Sequence, residues 1–406
     1  MAKTKPSWPR VTGPLAGYAE GFRAELSRLG YTPLSAAGQM RLVAHLSRWL
    51  AAEGLDTPAL TSPTVERYFA ERRSAGYTNE RSVGALRQLR DYLRREGAVA
   101  IEQPPVPSSA TERLLAKYGE YLSVERGLAP TTVDLNVRLV RPFLLKHADQ
   151  HDGRLELEEL RAGDIEEFVL EQSACRPRSI KRVVTALRSL LGFLYVEGSI
   201  EMPLAETVPS PPGWILTGLP KALSEREVFS LLGSCDRETA TGRRDLAILT
   251  MLARLGLRAG EVAALSLDDI DWRRGELVVC GKGNRIARLP LPGDVGARIV
   301  EYLRDGRPQR AEGRTVFVGA QAPHRPLSSP GVTTLVANAG RRAGLGTIGA
   351  HRLRHSAATA MLRGGGSLLE IGDVLRHRRV ITTAIYAKLD VEALRTLARP
   401  WPGAPR

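Results

Sequence analysis

Cysteine is scarce in this 406-residue chain: Cys175, Cys235 and Cys280 are the three present, and none belongs to a CxxC. Three distant cysteines exclude a disulfide framework and a cysteine-built structural zinc site, and they point to a reducing compartment. Aromatic residues make up only 5%, too few for the stacking platforms of a general RNA binder. No apolar run approaches the roughly 20 residues that span a bilayer, so no membrane partner is expected. The first ten residues are polar and basic and show no apolar signal core, so a cytoplasmic location is expected. Acidic residues are outnumbered, 44 against 58 lysines and arginines, leaving a net charge of +14. Such an excess suggests a polyanionic partner, nucleic acid foremost. An arginine- and alanine-rich composition produces the same excess, so charge alone leaves the partner open. Hydrophobic residues reach 43%, enough for packed cores rather than disorder.

Two proline-rich stretches divide the chain. One is Gln103-Pro104-Pro105-Val106-Pro107-Ser108-Ser109; the other runs from Pro203 to Pro220 and contains Pro209-Ser210-Pro211-Pro212-Gly213. Proline cannot continue a helix and disfavours helix at the residue before it. The blocks expected are 1–102, 108–202 and 221–406, with 203–220 as a linker. The first two blocks repeat one pattern at an offset of roughly 100 residues. Arg41-Leu42-Val43 matches Arg138-Leu139-Val140, and Val65-Glu66-Arg67-Tyr68-Phe69 matches Ile165-Glu166-Glu167-Phe168-Val169. Ala85-Leu86-Arg87 matches Ala186-Leu187-Arg188, and both blocks close on Glu-Gly. Apolar residues at helical spacing (Leu42, Leu46, Trp49 and Leu50; Leu187, Leu190, Leu191 and Leu194) predict small helical bundles. Arg87, Arg90, Arg94 and Arg95 are assigned to a polar face, as are Arg182 and Arg188.

The third block mixes the two periodicities. Arg243–Arg254 reads as a buried helix. Leu277-Val278-Val279-Cys280 and Ile286-Ala287-Arg288-Leu289 read as strands of a hairpin around Gly281-Lys282-Gly283-Asn284. Helices resume at Val295–Leu303, with loops at Gly319–Pro330 and Gly364–Ser367.

Four clusters in this block carry chemistry. They are Gly256-Leu257-Arg258-Ala259-Gly260-Glu261, the turn with Lys282, His351-Arg352-Leu353-Arg354-His355, and the segment from His377 to Tyr386. A guanidinium in an apolar setting is costly unless an anion meets it, and its planar fork suits phosphate oxygens. A tyrosine hydroxyl can form a covalent intermediate once its proton has somewhere to go. Histidines relay protons, and a lysine at a hairpin tip can protonate a leaving oxygen. Each residue alone has a plainer reading. Arg258 can pair with Glu261, Lys282 can be a solvated turn residue, and Tyr386 can be core. His351 and His355, four apart, would also suit a metal, but no third ligand has fitting spacing.

Taken in order, the four clusters resemble the catalytic domain of the tyrosine recombinases, the phage integrase family. The arginine box matches 256–261, followed by Leu265-Ser266-Leu267-Asp268-Asp269. The hairpin lysine matches Lys282, the His-x-x-Arg-His box matches 351–355, and His377, Thr382, Thr383 and Tyr386 match the final box. One departure is Arg376, where the family usually has glycine. The fold implied is mainly α with a small β-sheet: two tandem helical SAM-like DNA-binding domains, then an α+β catalytic domain. The resemblance implies that Tyr386 attacks the scissile phosphate while Arg258 and Arg354 hold its oxygens. Lys282 serves as general acid, His351 assists proton transfer at the tyrosine, and His377 bonds the phosphate. No cofactor or metal is implied. The implied partners are double-stranded DNA with specific recombination sites and a homo-tetramer on that DNA, with sister recombinases an open alternative. A bacterial, nucleoid-associated role for a mobile element is expected. A type IB topoisomerase-like enzyme and a non-catalytic accessory DNA-binding protein are the rival readings. The first block is left between an arm-type and an additional core-type domain.

Overall fold

The structure is a computed structural model that describes residues 7–79, 82–101, 108–151, 154–175, 179–210, 222–281, 285–376 and Tyr386. Contacts divide it into two units, residues 102–217 and residues 1–101 together with 218–406.

The unit 102–217 is four helices: α5 (Ala110–Val124), α6 (Pro130–Gln150), α7 (Ala162–Cys175) and α8 (Ile180–Val196), if those of the first block are numbered α1 to α4. Proline opens α6 because its fixed φ suits the first helical position and its missing N–H has no partner there anyway. Leu187, Leu190, Leu191 and Leu194 line the inner face of α8 at 0% exposure and meet Leu115, Tyr118 and Phe143.

The first block contributes α1 (Ala19–Arg28), α2 (Pro33–Ala52), α3 (Ser62–Ser74) and α4 (Arg87–Arg95). Leu42, Leu46 and Leu50 are buried as their spacing predicts. One expectation fails. Arg90 does not belong to the polar face of α4; it is buried, and its guanidinium donates to Ser62 Oγ at 3.0 Å. Helical geometry places position 90 beside Leu89 and Leu93 on the inner side, so the long side chain must find an internal acceptor. Arg95 is also committed, to Glu25.

The third block carries α9 (Glu225–Gly233), α10 (Ala240–Leu255), α11 (Ala259–Ala264), β1 (Ile270–Asp271), β2 (Glu276–Gly281), β3 (Arg285–Pro290), α12 (Gly293–Asp305), α13 (Ser329–Arg342), α14 (Ala350–Arg363) and α15 (Leu368–Val374). The expected hairpin is present, with Gly281 opposite Arg285 and Leu277 opposite Leu289. A short third strand, β1, pairs antiparallel with β2; two residues are too few to leave a periodic signal. Helix α10 is buried on every side from Asp245 to Leu252. Ala247, Ile248, Leu249, Met251 and Leu252 are all at 0% exposure, so this helix forms the centre against which the others pack. It stops at Gly256, whose φ of +58° only glycine adopts without strain. A Cβ there would lie 2.6 Å from Leu375 Cδ2, so the same glycine admits the end of α15.

Candidate active site

The site is built where chain segments end. Arg258 occupies the cap position of α11 in extended conformation, two residues beyond the close approach at Gly256. The Glu261 carboxylate accepts the Arg258 N–H at 2.8 Å and Arg258 Nη1 at 2.7 Å. The plainer reading of Arg258 as a partner of Glu261 is therefore correct as far as it goes. The pairing still leaves the arginine 39% exposed while Glu261 is 3% exposed, so the carboxylate acts as a bracket and the guanidinium faces outward.

Arg354, on the first turns of α14, is 1% exposed. Its guanidinium donates to the Gly256 carbonyl at 2.6 Å and to the Leu375 carbonyl. Burial, and then the nearby Arg258 and Arg376 charges, pull its pKa down to about 10, so it keeps its charge at neutral pH. Arg258 Nη2 leans on the next carbonyl, that of Arg376, at 3.4 Å. Two consecutive carbonyls at the end of α15 thus orient both arginines.

Arg376 itself stands at φ +55°, the left-handed region where glycine is at home. The structure supplies the compensation: Arg376 Nη2 donates to Glu261 Oε2 at 2.7 Å, with both side chains nearly buried. Burial alone would push the Glu261 carboxyl up. The Arg258 N–H and the Arg376 and Arg258 guanidiniums outweigh it and hold the carboxyl below its ordinary range.

These residues border a cleft of about 660 Å³ whose walls include Arg258, Gly281, Thr333, Gly349, His351 and Arg354. The cleft therefore brings together the arginine box, the His-x-x-Arg box and the end of β2. Lys282 and His377 lie outside the described residues. Their chain neighbours Gly281 and Arg376 reach the cleft wall and the Glu261 bracket respectively.

Tyr386 is 1% exposed, with its ring against Ala358, Ile371 and Leu375. Its hydroxyl is 2.7 Å from Nδ1 of His355. The expected histidine at the tyrosine was His351; the structure places His355 there, with the His351 ring 4.4 Å behind it. The reason is helical phase: Arg354 faces the core, and position 355 is the next side chain round toward Tyr386, while 351 opens onto the cleft. Burial, His351 and Arg354 push the His355 pKa down to about 4, so the ring is neutral and Nδ1 can accept the phenol proton. Burial raises the Tyr386 pKa against the opposing pull of Arg354. Partial desolvation, Arg354 and Arg258 lower that of His351. His355 was legible as the last member of the His-x-x-Arg-His box, yet nothing in its spacing distinguishes it from a packing histidine.

Comparison with known proteins points to one family. Residues 221–393 match the Phage integrase family, and residues 115–198 match the Phage integrase, N-terminal SAM-like domain. The "Putative integrase/recombinase y4rA" of Sinorhizobium fredii is 42% identical over 396 residues, covering 96% of this chain and 95% of that protein. Tyrosine recombinase XerD of Listeria monocytogenes is 30% identical over 278 residues, covering 67% of this chain and 93% of its own. In fold, the chain is similar to XerH recombinase in a post-cleavage complex with DNA (TM-score 0.54, 16% identity, 83% of this chain and 94% of that one). It is likewise similar to a lambda integrase dimer bound to a core site (TM-score 0.52, 16% identity, 66% and 95%). By these matches the chain belongs to the phage integrase family of tyrosine recombinases, and its site braces a partly exposed Arg258 and a buried Arg354 on backbone carbonyls and bonds a buried tyrosine hydroxyl to histidine.

Proposed function

We propose that this protein cuts and rejoins duplex DNA at specific sites through Tyr386. The observation that carries this reading is the union of a two-arginine cleft with a tyrosine whose proton already has an acceptor. In the cleavage step, Tyr386 Oη attacks the scissile phosphorus and the bond to the 5′ oxygen breaks. The phenol proton passes to His355 Nδ1, and the departing 5′ oxygen takes a proton from Lys282. Arg258 and Arg354 neutralise the charge that builds on the nonbridging oxygens. His351, on the cleft wall, and His377 donate to the same phosphate. A bound phosphate adds negative charge beside His351, His355 and Arg354. It thereby opposes the cationic neighbours that keep His355 a weak base and raises its proton affinity at the moment it is needed. The 3′-phosphotyrosyl ester conserves the energy of the broken bond, so a 5′-hydroxyl from a partner strand can reverse the step without nucleotide hydrolysis.

Exchange between two duplexes needs four such subunits, and a homo-tetramer serving a bacterial mobile element, in the cytoplasm at the nucleoid, completes the reading. The test is covalent trapping. Wild type and Tyr386→Phe are incubated with nicked duplexes carrying the ends of the DNA element, and a denaturing gel is read for a protein–DNA adduct. The expected result is an adduct with wild type and none with the variant. A wild type that binds the duplex and never forms an adduct would sink the catalytic reading in favour of an accessory DNA-binding role. Relaxation of supercoils without exchange would favour a topoisomerase.

A further inference from the structure

A second cluster of ionisable groups lies in the unit 102–217 and takes no part in the chemistry above. Helix α6 carries His147 in its last turn, and His151 caps its end. Their rings pack at 4.5 Å and 48°, as side chains four apart on one helical face can. The chain then reverses. The Arg154 N–H donates to the His151 carbonyl at 2.9 Å, and a 3₁₀ turn follows at Leu157–Glu159. With three residues per turn, positions 156 and 159 eclipse, so both carboxylates come round to the same ring. His151 Nδ1 lies 3.8 Å from Glu156 Oε2 and 3.4 Å from Glu159 Oε2.

The plainer reading is a protonated histidine between two carboxylates. A charge-assisted N–H···O bond closes to about 2.7–2.9 Å, and neither separation does. No lysine or arginine among the described residues takes either carboxylate. His147 adds an independent observation. It is 2% exposed, and its Nε2 is 2.9 Å from the Glu156 carbonyl oxygen. A carbonyl only accepts, so Nε2 carries the proton and, in the neutral ring, Nδ1 carries a bare lone pair. That Nδ1 has no hydrogen-bond partner among the described residues. A bond from one ring nitrogen to a carbonyl is the arrangement that leaves the other nitrogen to a metal.

The turn itself does not need these groups, because the first block builds it without most of them. There the Gly54 N–H donates to the Ala51 carbonyl at 3.2 Å, as His151 does to Ala148 at 3.1 Å. The Ala59 N–H donates to the Asp56 carbonyl at 3.0 Å, as Glu159 does to Glu156 at 3.2 Å. Leu50, Gly54 and Ala59 thus stand where His147, His151 and Glu159 stand, and only an acid before the 3₁₀ turn is common to both. Leu50 is fully buried. A histidine with a bare nitrogen in that place costs stability, which a ligand would offset. The spacing suits one ion. Nitrogen and oxygen donors at about 2.0–2.2 Å from a tetrahedral centre lie roughly 3.4 Å apart, and the donor atoms of His151, Glu156 and Glu159 all fall within 4.8 Å of one another. Imidazole mixed with carboxylate suits zinc rather than magnesium or calcium.

We propose that His151 Nδ1, Glu156 and Glu159 hold one zinc-class divalent ion, with His147 Nδ1 as the fourth donor, and that the ion staples the turn between α6 and α7. The full-length protein, stripped with a chelator and dialysed, is titrated with zinc chloride by calorimetry and with cobalt(II), whose tetrahedral complexes absorb visible light strongly. One ion per chain and a cobalt band are expected. Zinc should also raise the thermal midpoint, because an ion bound by the folded chain stabilises it. His151→Ala, and the isosteric pair Glu156→Gln with Glu159→Gln, should each weaken zinc binding by about 10-fold to 100-fold and abolish the band. His147→Leu introduces the side chain that the first block has there. It should weaken binding likewise, yet unfold at a higher temperature than wild type when no metal is present, which separates a lost ligand from a lost fold. A wild type with no saturable zinc binding overturns the site. Zinc binding of wild-type strength in His151→Ala or in the Gln pair does the same, since the ion then sits elsewhere. Unchanged binding in His147→Leu overturns the four-donor set.

Discussion

At the residue scale, the arrangement turns on Glu261 and His355. Glu261 holds Arg258 on one side and Arg376 on the other, and removing one partner of a buried pair costs about 3 kcal/mol or more. Arg376→Ala should therefore destabilise the protein by about that amount in denaturant unfolding. Arg376→Gly loses the same pair but also removes the left-handed strain, so it should be about 1 kcal/mol less damaging. Equal losses would show that the backbone at 376 is not strained. His355 makes a pH prediction. Its folded pKa of about 4 lies below the ordinary histidine value, so between those limits the unfolded chain binds more protons than the folded one. Stability is then full above about pH 6.5 and declines as pH falls toward 4. Thermal unfolding of His355→Asn should show a shallower decline than wild type; parallel curves would refute the assignment. His355→Phe, which removes the acceptor, should slow adduct formation by about 100-fold or more.

At the scale of elements, Gly256 links the end of α10 to that of α15. Gly256→Ala adds about 1 kcal/mol of left-handed strain and a Cβ 2.6 Å from Leu375 Cδ2. Leu375 also supplies a carbonyl to Arg354. The substitution should lower stability by about 2 kcal/mol or more and, in conditions where the protein remains folded, still slow cleavage, because the arginine loses its brace. Normal single-turnover cleavage by the folded variant would mean that Arg354 is positioned without Leu375.

At the scale of the whole molecule, the first block shares a unit with the third. Exposed pairs join them, Arg28 to Glu312 at 2.6 Å and Arg325 to Asp91 at 3.1 Å. Exposed ion pairs contribute about 1 kcal/mol or less each. Arg325→Ala should therefore change overall stability by less than about 1 kcal/mol by denaturant titration; a much larger loss would mean that this contact helps hold the fold together.

Much of this was legible in the order of residues, for a physical reason. Helical and strand periodicity, and prolines that cannot continue a helix, act over a few neighbours. They predict the helical bundles of the first two blocks, the helix over Arg243–Arg254 and the hairpin of β2 and β3, while the clusters containing Arg258, His351, Arg354 and Tyr386 are read from residue types, their order and the resemblance to the phage integrase family. Repetition of apolar positions at a fixed offset likewise exposed the two related modules. What local pattern could not carry was which groups meet across the chain. Arg90 points inward to Ser62, His355 rather than His351 touches Tyr386, and Arg376 tolerates a glycine position because Glu261, 115 residues earlier, lies within reach. Each depends on the phase of one element against another, and only packing of the folded chain decides that phase.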